Sequence, residues 1–368
     1  MGVLVTLIRK ELSLMANYYI GADVDCKMVE LAIEKNEKII GRYRVPTTIP
    51  ALREVLGSIG GTKFLTFEEG PMAGWMYRNL KDNVDQLVVC DPRRNKLIAC
   101  DGDKDDSIDA GKLAGLLRGG YLREVYQSED IGRIVLKQWV SLYHDKVHEA
   151  VRQINKIRAR CRMYGIRIPR RALRDHISRR QWMTGLSEKD LAEQLRVLWL
   201  GFDTAAKQVQ MARKQLVRHS KNYEIIKYWS DVPGIALIRA TTLLAYLDTP
   251  WRFSNEKKLW KYCGVGLQRT ASGTDRFGKP NRGKLQLAWA VNRRLKGVVT
   301  GAAMSAINQK NNIFAYEYGR MIGNGLTASN ARHAIARKLL SVLWAMWKTS
   351  SRFDESLVCY SPVTVKAG

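Results

Sequence analysis

The chain has 368 residues, with 61 Lys and Arg against 35 Asp and Glu, a formal charge of +26 and 46% apolar content. That length and apolar share suit two or three packed domains and exclude both a disordered tail protein and a disulfide-stapled mini-domain. No apolar run approaches the ~20 residues that a bilayer span needs, so no membrane protein is expected. The excess positive charge is unevenly distributed, which favours a polyanionic partner over mere solubility, because phosphates neutralised by Lys or Arg release their counterions.

The first fifteen residues begin apolar but are broken by Arg9, Lys10 and Glu11. A signal peptide carries its positive charge ahead of the apolar stretch, so none is expected, and patterned sequence starts right after Met15. Six cysteines (Cys26, Cys90, Cys100, Cys161, Cys263 and Cys359) are scattered without a CxxC pair. This argues for a reducing cytosol and against zinc.

From residue 17 the chain alternates. NYYIGADV, VELAI and KIIGRYRV read as strands, and ALREVLGSIG reads as a helix ended by Gly60-Gly61. KFLTFEE is a strand, AGWMYRNLKDN a helix, and QLVVCDP a strand stopped by Pro92. DAGKLAGLLRGG is a helix starting after Ser107, and YLREVY a short strand. Three strands followed by αβαβα is the order of an α/β, ribonuclease-H-like fold. No GxGxxG or GxxxxGK[ST] follows any strand, so neither ATP nor NAD is expected.

Apolar residues at Ile134, Val135, Trp139, Leu142, Val147, Val151, Ile154 and Ile157 predict a helix over Ile131–Arg162. A second runs from Glu188 to about Leu216. Together they read as a long antiparallel helical arm, a coiled coil. Val151 to Arg180 holds eleven Arg and Lys, Arg158, Arg160, Arg162, Arg170 and Arg171 among them, against one acid, Asp175. A solvated helix face mixes signs, so this stretch is expected to contact phosphates.

Past Trp229, DVPGIALIRATTLLAYL resembles a helix-hairpin-helix, whose tight turn offers backbone N–H groups to a phosphate. The Gly-, Arg- and Ser-rich CGVGLQRTASGTDRFGKPNRGK follows, then the predicted helices LQLAWAVNRRLKGVVTGAAM and ASNARHAIARKLLSVLWAMW. The expected division is an extension (1–17), an α/β domain (18–128), a basic helical arm (129–228), a mostly helical C-terminal domain (229–350) and a loose tail (351–368). His144 and His148 stand i, i+4 without the Glu of a zincin, which favours a surface or packing role. Trp229, Trp251 and Trp260 flank the Pro-Gly segment and can stack bases, though packing is the stronger expectation, as it is for Trp344 and Trp347.

The acids of the first domain stand out in so basic a chain. Asp23 ends the first strand, Glu68 and Glu69 end a later one, and five aspartates lie between Asp101 and Asp109. Asp106 and Asp109 share one face at a helix start. An EF-hand fails, since position six is Asp106 rather than Gly and position twelve is Lys112 rather than Glu. Two readings stay open on spacing alone. One is a solvated loop with a helix cap; the other is an oxygen-only site with Asp23 and Glu68 for Mg2+ or Mn2+ on a phosphodiester.

YIGADV, TFEEG and DDSIDAGKLA together resemble the Asp–Glu–Asp–Asp signature of DEDD-type insertion-sequence transposases. The resemblance implies a RuvC-like N-terminal domain whose metal-binding acids are Asp23, Glu68, Asp106 and Asp109. Glu69 is the alternative, since Glu69-Gly70-Pro71 stands where the family has a small residue, Thr and Gly. Asp91-Pro92 likewise replaces an Asn-Pro. PGIALIRATTLLAYL and the Ser-Gly after it resemble the family's second domain, which makes Ser272 the implied nucleophile toward DNA. Arg269, Arg276, Lys279 and Arg282 would neutralise the phosphate there, although Lys279-Pro280-Asn281-Arg282-Gly283-Lys284 departs from the family's Ser-Lys-Arg-Gly-Asn.

The match runs in order over about residues 18 to 345. It implies excision and insertion of an element by strand exchange, with a structured guide RNA, a homodimer or tetramer, and a prokaryotic, cytoplasmic, nucleoid-associated location. Two rivals are a RuvC-like Holliday-junction nuclease that uses the acids alone, and a non-catalytic nucleic-acid-binding protein.

Overall fold

The structure, a computed structural model, describes residues 16–93, 106–270, 284–288 and 291–358. The chain forms two compact units, Met1–Glu129 and Asp130–Gly368.

In the first unit, strands β1 (Asn17–Val24), β2 (Met28–Lys35), β3 (Lys38–Pro46), β4 (Thr62–Glu68) and β5 (Gln86–Cys90) make one sheet in the order β3-β2-β1-β4-β5. The first three strands pair antiparallel, and β1, β4 and β5 pair parallel. A two-residue turn joins β2 to β3, with Asn36 (φ 49°) and Glu37 (φ 64°) both left-handed, as a turn matched to strand twist requires. Helices α1 (Ile49–Ser58) and α2 (Ala73–Leu80) link the strands that run parallel. Alternation sends Tyr18, Ile20, Ala22, Leu31, Leu65 and Phe67 to one face, where they form a core with Leu52 and Leu56 of α1 and Met76 and Leu80 of α2. Helix α3 (Asp106–Arg118) covers the other face, burying Ala110, Leu113 and Ala114. The expected strand YLREVY is reduced to one antiparallel bridge, Glu124 to Cys90.

The second unit begins with α4 (Ile131–Met163), then α5 (His176–Thr184) and α6 (Lys189–Ser220). Helices α4 and α6 lie antiparallel. Ile157 and Cys161 of α4 share a core with Leu191, Leu195 and Trp199 of α6, whereas Leu136 and Val140 meet Leu216 at the opposite end. Leu136, Val140 and Leu216 belong to the same core as the C-terminal helices α7 (Glu224–Ser230), α8 (Leu237–Leu247), α9 (Glu256–Tyr262), α10 (Arg293–Asn308), α11 (Ile313–Gly323) and α12 (Ala328–Thr349). Helix starts are written locally: the side chains of Asn255, Asn292, Asn312 and Thr327 each accept a backbone N–H two or three residues on. Trp229 is fully buried and its indole N–H donates to the Leu343 carbonyl at 2.9 Å.

One expectation is corrected by the strands: residues 285–304 do not form one helix. Lys284–Leu287 is strand β7, paired antiparallel with β6 (Leu267–Thr270), and α10 starts only after its Asn292 cap. The Pro233-Gly234 turn lies between α7 and α8. Gly234 is buried at φ +82°, where a Cβ would stand 2.3 Å from the Ala302 carbonyl oxygen, so the turn is packed against α10.

Among the described residues, no helix is long and apolar enough to cross a membrane. Among the described residues Cys26, Cys90, Cys161 and Cys263 form no disulfide, and burial pushes the thiols of Cys161 and Cys263 up.

Candidate functional site

The carboxylates are organised by strand register. On β1, Tyr19, Gly21 and Asp23 face α3, and Tyr19 stacks on Phe64 of β4 with ring centroids 5.0 Å apart. The parallel ladder pairs Tyr19 with Phe64 and Gly21 with Thr66, so the same face continues to Asp23 and Glu68 at the carboxyl ends of neighbouring strands. Glu68 is partly buried on this face, whereas Glu69, one residue on, is exposed and its N–H is taken by the Cys90 carbonyl at 2.8 Å. Asp25 stays out of the row, its carboxylate accepting the Lys27 N–H, a bond that lowers its pKa.

Helix α3 runs opposite to β1. Its middle, Ala110 and Ala114, lies against Gly21, and its last residue, Arg118, reaches Glu34 and Glu37 at the β2–β3 turn. Its first turn, with Asp106 and Asp109, is therefore directed toward the edge that carries Asp23 and Glu68. The close approach depends on small residues: a Cβ at Gly21 would stand 2.0 Å from the Ala110 carbonyl oxygen. Glu34, 4% exposed, is held by the Arg118 guanidinium and pins the far end of the helix.

One acid of this row escaped the sequence reading. Glu30 of β2 is the register partner of Asp23 and is bound by Arg44 of β3 at 3.2 Å. Its signal was the antiparallel register of two adjacent strands, which a linear motif does not carry.

Asp23, Glu68 and Asp109 offer only carboxylate oxygens, the donor chemistry of a hard divalent cation. Among the described residues no three His, Cys, Asp or Glu side chains converge closely enough to hold an ion, and the side chain of Asp106 lies outside them. By donor chemistry the set fits Mg2+ or Mn2+.

The basic residues divide. Arg158, Arg160, Arg162, Arg170 and Arg171 are all exposed at one end of the α4–α6 pair. Arg179, from the same basic stretch, is 6% exposed: it donates to both Asp203 oxygens at 2.7 and 2.8 Å and lies 3.8 Å from the centre of the Trp199 ring. It builds the arm's tip rather than contacting a phosphate. Arg269 is exposed on β6. Ser272, Arg276, Lys279 and Arg282 fall between β6 and β7 in the sequence, outside the described residues.

At its base the arm is tied in by polar contacts. Arg294 of α10 donates to Asp145 at 2.6 Å, Ser141 at 3.0 Å and Tyr246. His144 shares a 3.0 Å hydrogen bond with the Thr242 hydroxyl, and burial pushes its imidazole down to about 4, with the Arg294 charge adding to the effect. It is a packing residue.

Two family models match the chain in the order of these elements. One, described as Transposase and built on DEDD transposases of the IS110 type, matches residues 20–164. The other, described as Transposase IS116/IS110/IS902 family, matches residues 227–318. No curated protein matches the chain. With the first model spanning the acid-bearing sheet through α4 and the second spanning α7 into α11, the chain belongs to the DEDD-type insertion-sequence transposases of the IS110/IS116/IS902 family.

Proposed function

We propose that this transposase excises and inserts its own element by strand exchange on DNA, with a ribonuclease-H- or RuvC-like catalytic domain at 18–128. The basic arm at 129–228 and the helical domain at 229–350 supply the nucleic-acid contacts. The observation that carries this reading is the pair Asp23 and Glu68 on one face, at the carboxyl ends of neighbouring parallel strands, with the first turn of α3 directed to the same edge. The sheet order β3-β2-β1-β4-β5, antiparallel then parallel, supports the fold assignment.

Asp23, Glu68, Asp106 and Asp109 would hold the divalent ion, which when bound stabilises charge on the phosphoryl oxygens and lowers the proton affinity of a nearby hydroxyl. Ser272 is the nucleophile of this reading. Its Oγ forms a bond to phosphorus as the bond to the 3′ oxygen breaks, giving a 5′-phosphoserine and a free 3′-hydroxyl, with the serine proton ending on the leaving oxygen. The 3′-hydroxyl of the partner strand reverses the step and releases the serine. Arg269, Arg276, Lys279 and Arg282 offset the charge of the pentacovalent phosphorus. An element-encoded RNA guides the choice of DNA, with the exposed arginines of the arm as its contact or that of duplex, and a homodimer or tetramer brings the ends together.

Excision on a plasmid carrying the element, together with trapping of a protein–DNA adduct, tests this. Asp23→Ala and Ser272→Ala should both abolish excision, and only the wild type should give an adduct. Retention of activity by Ser272→Ala replaces the transposase chemistry with that of a junction nuclease acting through the acids alone. RNA recovered with the purified protein should map beside its own gene; bulk RNA alone removes the guide.

A further inference from the structure

Trp251 is the one tryptophan among the described residues that stays mostly in water, at 72% exposure. The turn that carries it is nonetheless firmly held. Trp251 lies in the 3₁₀ turn Pro250–Arg252, capped by the Thr249 hydroxyl, which accepts the Trp251 N–H at 3.4 Å. On one side the Trp344 indole donates to the Pro250 carbonyl at 2.8 Å. On the other, the Arg252 guanidinium donates to the Tyr246 carbonyl at 3.0 Å and the Tyr262 hydroxyl at 3.3 Å. A firmly held turn thus presents an indole that the fold leaves mostly exposed.

The neighbouring charge indicates what that face fits. Lys348 of α12 places its ammonium 3.5 Å from the centre of the Trp344 ring and 5.4 Å from that of Trp251. It makes no ion pair among the described residues. An exposed indole beside an uncompensated cation offers one surface for a π-face and one for an anion, the two parts of a nucleotide.

We propose that Trp251 is a stacking platform for an unpaired DNA base, with Lys348 taking an adjacent phosphate. This rests on the DNA reading above and goes beyond it: strand exchange takes bases out of the duplex, and this surface holds one of them. An apolar protein partner would have no use for the ammonium at its centre.

The test uses the full-length protein with a fluorescein-labelled oligodeoxythymidylate, an oligouridylate and a DNA duplex of equal length, read by anisotropy. Trp251→Ala should weaken oligodeoxythymidylate binding about 5- to 100-fold, the loss of one stacked base, and leave the duplex unchanged. Trp251→Phe should restore most of the affinity, and Lys348→Gln should make the salt dependence shallower. Because the ring is exposed, the melting temperature should not move. Unchanged affinity in Trp251→Ala overturns the proposal, as does an equal loss on duplex, a loss confined to oligouridylate, or a change in oligomeric state. If the wild-type protein binds no DNA probe, the DNA reading itself fails; if it binds and Trp251→Ala matches it, only the platform fails.

Discussion

Gly21 of β1 and Ala110 of α3 meet backbone to backbone: a Cβ on Gly21 would stand 2.0 Å from the Ala110 carbonyl oxygen and 2.6 Å from the Ala114 amide nitrogen. The strand and the helix therefore have no slack where they set the spacing between Asp23 and the first turn of α3. Gly21→Ala should force the helix away at a cost of at least about 1–3 kcal/mol, lowering the melting temperature and abolishing excision. Gly57→Ala is the control. It lies in α1 with nothing within 4 Å of a new Cβ, and should be neutral or stabilising by about 0.5–1 kcal/mol.

Glu68 and Glu69 are separated by strand alternation, so a pair of isosteric changes decides between them. Glu68→Gln should eliminate excision and flatten the rise in melting temperature on adding Mg2+. Glu69→Gln, exposed and outside the row, should retain both. The reverse pattern would assign the metal to Glu69.

Arg179 ties the tip of the arm together, so its removal should act locally. Arg179→Met breaks the pair with Asp203 and the bond to the Ala172 carbonyl. We expect a loss of about 2–3 kcal/mol in this region, short of the fully buried case because Asp203 keeps a 32% exposed side chain. Hydrogen exchange should quicken over residues 166–186 while the rest of the helical unit stays protected.

His144 gives the helical unit a pH dependence of definite sign. Its imidazole is depressed from 6.5 to about 4, so the folded state binds fewer protons than the unfolded one. Its contribution is full above about pH 7 and is lost as pH falls from 6.5 toward 4. Linkage alone allows up to about 3 kcal/mol, and solvent screening of the partly exposed ring reduces this to about 1–2 kcal/mol. Facing charges are Arg294 and His148, which lower the pKa, and Asp145, which raises it. Urea midpoints between pH 7 and 4 should fall more steeply for the wild type than for His144→Gln, and parallel curves would count against a neutral His144.

Charge reversal at Arg158, Arg160 and Arg162 should weaken nucleic-acid binding and make log K against log salt shallower by about one unit per lost phosphate contact. All three are exposed, so folding should be unaffected. An unchanged slope removes them from the interface.

The sheet was legible from short apolar runs bounded by turn residues, and on β1 from alternation between core residues, Tyr18, Ile20 and Ala22, and the opposite face, Tyr19, Gly21 and Asp23. The arm was legible from its helical apolar spacing. Strands β6 and β7 were not, since each has four residues and they flank a Gly- and Arg-rich stretch where periodicity is too short to register. Of the candidate acids, Asp23 and Glu68 were legible as strand-end positions. Glu30 and Glu34 were not, because their partners Arg44 and Arg118 are brought to them only by cross-strand register and helix packing. Arg179 looked like the exposed arginines of the same stretch because charge alone does not reveal a buried guanidinium.

The root of the arm has a mechanical meaning. Leu136, Val140 and Leu216 are shared with the C-terminal helices, and Arg294 clasps Asp145 just beyond them. The helical pair is therefore a cantilever with a built-in end, not an appendage on a hinge. Force applied to its arginine-covered tip arrives as torque on α8 and α10, and cutting the chain at the 228/229 junction would open the core instead of releasing a module.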